Sequence, residues 1–128
     1  MTTADFLIRG ASLPDGKKTD ISITNGVIAS VSSGFKGEAQ TVIDGKDCVV
    51  LPGLVDLHTH LREPGREDAE TVLSGSSAGV KGGFTAVSAM ANTSPVADTA
   101  GVVEQVYRLG QEAGLLDVFP IGAVTQGL

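Results

Sequence analysis

Three apolar, β-branched runs recur along the second half of this chain at an almost constant interval. Their centres fall at Val55, Val87 and Val118, so successive runs lie 32 and 31 residues apart. That interval is about the length of one strand plus one crossover helix. The residues between the runs fit this reading. Residues 69–81 carry Val72, Leu73, Ser76, Ser77 and Val80 at helical spacing, with Asp68 as N-cap and Gly82-Gly83 as a stop. Residues 99–113 carry Val102, Val103, Val106 and Leu109 on one face, with Asp98 or Thr99 as cap and Gly114 at the end. Pro120 counts against the third run, because it removes a ladder donor. Repeated βα units imply a parallel sheet, either doubly wound or closed as a barrel. A (β/α)8 barrel takes roughly 250 residues, and only 78 follow residue 50. Three strands cannot close a barrel, so the expectation is an α/β chain that is the N-terminal piece of a longer protein.

Residues 1–51 have a different character and read as a small β-sandwich-like module, ahead of the βα region at 52–128. Phe6-Leu7-Ile8-Arg9 precedes Gly10, and Leu13-Pro14-Asp15-Gly16 is a turn signal. Asp20-Ile21-Ser22-Ile23-Thr24 alternates polar and apolar, and Asn25-Gly26 separates it from a second β-rich run at 27–32. That dipeptide between two such runs predicts a hairpin, since a type I′ turn needs positive φ at both central residues. Thr41-Val42-Ile43-Asp44 and Cys48-Val49-Val50-Leu51, separated by Gly45-Lys46, read as another antiparallel pair. With aromatics at 4% and no Trp, the core must be built from Val, Ile, Leu and Ala. The lone Cys48 excludes an internal disulfide framework and a Cys-cluster metal site, and reads as a buried small hydrophobe.

Charge and hydropathy remove several function classes. The formal net charge is −6 and no Lys/Arg-rich run occurs, so no nucleic-acid surface is expected, because phosphate neutralisation needs clustered positive charge. No apolar stretch approaches the roughly 18–20 residues that span a bilayer. Residues 1–5 lack the basic-then-apolar pattern of a signal peptide. The expectation is a cytoplasmic protein.

Chemistry concentrates in one segment, Gly53-Leu54-Val55-Asp56-Leu57-His58-Thr59-His60-Leu61-Arg62-Glu63-Pro64-Gly65, which holds both histidines of the chain. They stand at i and i+2, so in a strand both imidazoles point to one face. Two neutral nitrogen donors so placed suit one metal ion, typically Zn²⁺. The alternative is a pair of unrelated histidines. The position at a strand's C-terminal end, where βα enzymes carry their chemistry, favours the metal. Asp56 shares the face and receives no role. Glu63, Arg66, Glu67, Asp68 and Glu70 read as a solvated loop and first helical turn. Gly65 and Gly82-Gly83 read as backbone geometry.

Asp-Leu-His-Thr-His-Leu-Arg-Glu-Pro-Gly resembles the first-strand signature of the amidohydrolase superfamily, and specifically of the dihydroorotase family. Gly82-Gly83-Phe84-Thr85-Ala86 and Met90-Ala91-Asn92-Thr93 are similar to that family too, with Ala91 where many relatives have Pro. The resemblance implies a metal-dependent (β/α)8 TIM-like barrel, here truncated after three strands and two helices. It implies that His58 and His60 ligate zinc, one or two ions per full-length subunit. It implies a substrate-binding set of His60, Leu61, Arg62 and Asn92. Arg62 would hold the carboxylate of dihydroorotate, which suits a planar guanidinium fork, and Asn92 would donate to the same substrate. The bridging Lys or Asp, two further histidines and the catalytic Asp would lie beyond Leu128, leaving no catalytic residue in this chain. The implied reaction is reversible hydrolysis of dihydroorotate to N-carbamoyl-aspartate in pyrimidine synthesis, with this piece alone inactive. Alternatives are a hydantoinase, an allantoinase, or a metal-free partner of aspartate transcarbamoylase. A homodimer and a transcarbamoylase complex are the associations that the resemblance brings with it.

Overall fold

The computed structural model describes residues 3–127, so Met1 and Thr2 of the stretch read for a leader lie outside the described residues. The first strand, β1 (Thr3–Ser12), returns antiparallel as β2 (Lys18–Thr24). The turn between them closes through Gly16 N–H to Leu13 O at 2.8 Å and Leu13 N–H to Lys17 O at 2.9 Å. Asn25 and Gly26, with φ of 52° and 73°, carry the chain into β3 (Val27–Ser32) as the predicted hairpin. β4 (Glu38–Asp44) completes a sheet of order β3-β2-β1-β4. Ala4, Leu7, Ala11 and Ile21 are its buried apolar residues, in keeping with the scarcity of aromatics.

Two features of this half differ from the sequence expectation. First, β4 does not pair with residues 48–51. It lies parallel to β1, from Thr3 opposite Glu38 to Arg9 opposite Asp44. Gly45 N–H donates to Arg9 O at 2.8 Å and Cys48 N–H to Gly45 O at 3.0 Å, so the chain kinks without reversing. It then continues beside Ser12, through Ser12 N–H to Cys48 O and Val50 N–H to Ser12 O, both 2.9 Å. Cys48 is thereby left exposed rather than buried. Second, among the described residues these strands form one sheet, hydrogen-bonded side by side, where the sequence suggested sandwich-like layers.

Asp20 on β2 pins this sheet. Its Oδ1 accepts from Gly10 N–H and its Oδ2 from Phe35 N–H, each at 2.9 Å. Gly10 lies where the β1–β2 register shifts, so one buried carboxylate ties a bulge to the turn after β3. The Phe35 and Gly10 N–H groups, with Arg9 nearby, hold the Asp20 carboxyl below its ordinary range against the opposing effect of burial.

The chain divides into two units, Met1–Pro52 and Gly53–Leu128. The second alternates β5 (Leu54–Thr59), α1 (Val72–Lys81), β6 (Phe84–Ala89), α2 (Ala100–Ala113) and β7 (Asp117–Pro120). Its sheet is parallel, in the order β5-β6-β7. Leu61, Val72, Val87, Ala89, Val106, Leu116 and Val118 form the core between helices and sheet. α1 starts three residues later than an Asp68 cap would place it. Thr71 Oγ1 accepts from Ser74 N–H at 3.0 Å, and Ser74 Oγ accepts from Thr71 N–H at 2.9 Å, a reciprocal capping box. Residues 66–70 are spent on a separate turn, with Ala69 and Glu70 N–H donating to Arg66 O. α2 ends at Gly114, whose φ of 62° is the left-handed cap expected there. β7 stops at Pro120, the residue that counted against a longer strand. Among the described residues no helix is long and apolar enough to cross a membrane.

Candidate functional site

Parallel pairing puts the C-terminal ends of β5, β6 and β7 along one edge. Met90 N–H donates to Thr59 O and Ile121 N–H to Ala89 O, both at 2.8 Å, so the pairing runs to the strand ends. His58 is the penultimate residue of β5 and His60 follows its end. Their ring centroids lie 5.1 Å apart with an interplanar angle of 66°. Two imidazoles bound to one tetrahedral ion, with Zn–N near 2.0–2.1 Å, would have centroids about 5 Å apart. The pair therefore fits a shared cation. No group of three or more His, Cys, Asp or Glu side chains suited to a metal occurs among the described residues, and two imidazoles would supply half of a tetrahedral shell.

Asn92, in the loop after β6, reaches across to this pair. Its Oδ1 lies 2.8 Å from His60 Nδ1. With the amide oxygen as acceptor, a neutral ring would carry its proton on Nδ1 and leave the Nε2 lone pair for a metal. The amide nitrogen of Asn92 remains as a donor. The family resemblance implied a substrate role for Asn92, and the structure adds its contact with His60. Asp56 is turned to its own strand: its Oδ1 accepts from His58 N–H at 2.9 Å. That bond, with the Thr59 hydroxyl beside it, holds the Asp56 carboxyl below the usual carboxylate range.

The segment after His60 is more ordered than a solvated loop. Leu61 is 4% exposed and belongs to the core, so it can offer a substrate only its backbone. Arg62 is exposed and makes no ion pair among the described residues. Its φ is 60°, and Glu63 N–H donates across it to Leu61 O at 2.7 Å. That is the three-residue γ-turn of positive φ, a rare and strained conformation. Glu63 Oε2 accepts from Val72 N–H at 2.7 Å, a contact that the sequence reading missed. Glu67 Oε1 accepts from Gly65 N–H at 2.8 Å, which lowers the Glu67 carboxyl below its usual range. The β5 and β6 loops also dock on each other, with Ser94 N–H donating to Pro64 O at 2.9 Å. Gly65, at φ 103°, packs so closely that a Cβ there would run into Ser94 O.

The whole constellation lies within the residues that known proteins share. Residues 47–127 match the model of the dihydro-orotase-like family. The chain therefore belongs to that family. It is 61% identical over 122 residues to the dihydroorotase of Streptomyces coelicolor, covering 95% of this chain and 28% of that protein. It is 57% identical over 128 residues to the dihydroorotase of Leifsonia xyli subsp. xyli, covering 100% of this chain and 29% of that one. It thus spans less than a third of the length of these curated relatives. Among solved structures it resembles the L-hydantoinase (dihydropyrimidinase) of Arthrobacter aurescens, with TM-score 0.74 and 25% identity over 93% of this chain and 28% of that one.

Proposed function

We propose that this chain carries part of the active site of a zinc-dependent dihydroorotase, which reversibly hydrolyses the cyclic amide of dihydroorotate to N-carbamoyl-aspartate. The observation that carries this reading is the meeting of His58, His60 and Asn92 across the C-terminal ends of β5 and β6, next to a conformationally fixed Arg62. In this reading β5, β6 and β7 are the first three strands of a (β/α)8 barrel. Support comes from the edge strand β5, which leaves Leu54, Val55 and Leu57 exposed, whereas parallel sheets are covered on both faces.

His58 and His60 would hold the metal with ligands from outside these residues. When bound, the zinc polarises a carbonyl as a Lewis acid and lowers the pKa of water. Asn92 fixes the ring of His60 through Nδ1 and offers its amide N–H to the substrate. Arg62 presents two parallel donors to the ring carboxylate, which anchors the bound substrate. The acid that protonates the leaving nitrogen would come from outside the residues named here. Two imidazoles are half a shell, so residues 1–128 alone are expected to bind zinc weakly and to show no turnover.

The hydantoinase likeness makes a substrate panel the test. The full-length enzyme is expected to prefer dihydroorotate over hydantoin and allantoin. Arg62→Gln should cut kcat/KM for dihydroorotate by roughly 10–100-fold, the worth of charge-assisted hydrogen bonds. A preference for an uncharged ring, or indifference to Arg62→Gln, would overturn the assignment. A full-length protein that binds no zinc would instead support the role of a structural partner of aspartate transcarbamoylase.

A further inference from the structure

The strained γ-turn at Arg62 is clamped on both sides, and the clamps identify a residue that none of the chemistry above requires. A non-glycine residue at positive φ persists only where its surroundings over-determine it, and such residues collect at functional sites. On one side, Leu61 is buried against Gly75 of α1, where a Cβ would come within 2.6 Å of Leu61 Cδ2. On the other, Pro64 and Gly65 dock on Ser94. Between them, Glu63 Oε2 takes the N–H of Val72, the first residue of α1, at 2.7 Å. That N–H has no intrahelical partner, and a carboxylate is favoured at the positive end of the helix.

We propose that Glu63 is a positioning residue: by binding the α1 N-terminus it holds the Leu61-Arg62-Glu63 turn in its strained form, and so fixes where Arg62 meets the substrate carboxylate. This rests on the carboxylate role proposed for Arg62. Released from Val72, the turn relaxes to an ordinary conformation and Arg62 loses its orientation. His58 and His60 are held by β5 and by Asn92, so metal binding is untouched.

The test compares Glu63→Ala and Glu63→Gln in the full-length enzyme, since Gln keeps an acceptor oxygen. Glu63→Ala is expected to raise KM for dihydroorotate roughly tenfold, as for one lost charge-assisted hydrogen bond. Its kcat should stay within about threefold of wild type and its zinc content should not change. Glu63→Gln should recover most of the loss in KM. Hydrogen exchange at the Val72 amide should quicken in the Ala variant and much less in the Gln variant. An unchanged KM in Glu63→Ala, an unchanged Val72 exchange rate, or equal damage in both variants would each overturn the proposal. Were the wild type to prefer another cyclic amide, the functional reading would fall. The KM-against-kcat split on that substrate, with Val72 exchange, would still decide whether Glu63 positions the turn.

Discussion

Replacing Gly65 by Ala tests whether the two site loops are locked together as their geometry requires. Gly65 has φ 103°, and a Cβ there would meet both the carbonyl oxygen and the Cβ of Ser94. The left-handed backbone costs a Cβ-bearing residue about 1–2 kcal/mol. The overlap adds roughly 1–3 kcal/mol, at the upper end because a backbone carbonyl cannot rotate out of the way. Reduced freedom of the unfolded chain returns about 0.4–1 kcal/mol. The net expectation is a loss of about 2–4 kcal/mol, read as a lower midpoint in denaturant unfolding of the full-length enzyme followed by far-UV circular dichroism. Gly83→Ala is the control. Its φ is 86° but the nearest side-chain atom, Leu54 Cδ1, is 4.0 Å away, so it pays the backbone cost alone, about 1 kcal/mol or less. Equal midpoints for the two variants would refute the close docking of Gly65 on Ser94.

Asp20→Ala should destabilise the first unit by about 2–4 kcal/mol, through loss of two charge-assisted hydrogen bonds and exposure of unpaired N–H groups; thermal unfolding at neutral pH measures it. The folded-state pKa of Asp20 lies below the ordinary value of about 3.9. Its contribution is therefore complete above about pH 4–5 and is lost as pH falls through the lowered value, so the gap between wild type and Asp20→Ala should close in acid. Leu61→Ala should cost about 2–5 kcal/mol as a core deletion, measurable by the same denaturant titration. Asn92→Ala should weaken zinc binding by roughly 10–100-fold, the usual effect of removing the partner that orients a ligating histidine, as read by chelator competition.

Much of the second unit was legible because its periodicities are local. The interval between apolar runs gave three strands and two helices, and Gly114 and Pro120 marked ends that the structure keeps. The Asn25-Gly26 hairpin was equally plain. What escaped depends on contacts distant in sequence. Residues 48–51 form an apolar run like a strand, yet a kink at Gly45 sends them alongside Ser12 rather than back on β4. The apolar face read into α1 is only partly used: Val72 and Ser76 are buried, but Leu73 is 56% and Val80 42% exposed, while the strand and helix packed against α1 are chiefly β6 and α2. At the site, the His58–His60 pair followed from strand alternation. The hydrogen bond of Asn92 to His60 spans 32 residues, and no pattern within a single strand encodes it. Glu63 looked like one charge among several. Its link to Val72, nine residues on, depends on where Thr71 sets the start of the helix.

In the proposed function, His58 and His60 hold the metal on which cyclic-amide hydrolysis depends. The most direct measurement is dihydroorotate ring opening by the full-length enzyme after chelation and zinc readdition, for wild type, His58→Ala and His60→Ala. Chelation is expected to abolish turnover, zinc to restore it in the wild type, and neither variant to recover. Turnover surviving complete metal removal, or full recovery in either histidine variant, would contradict it.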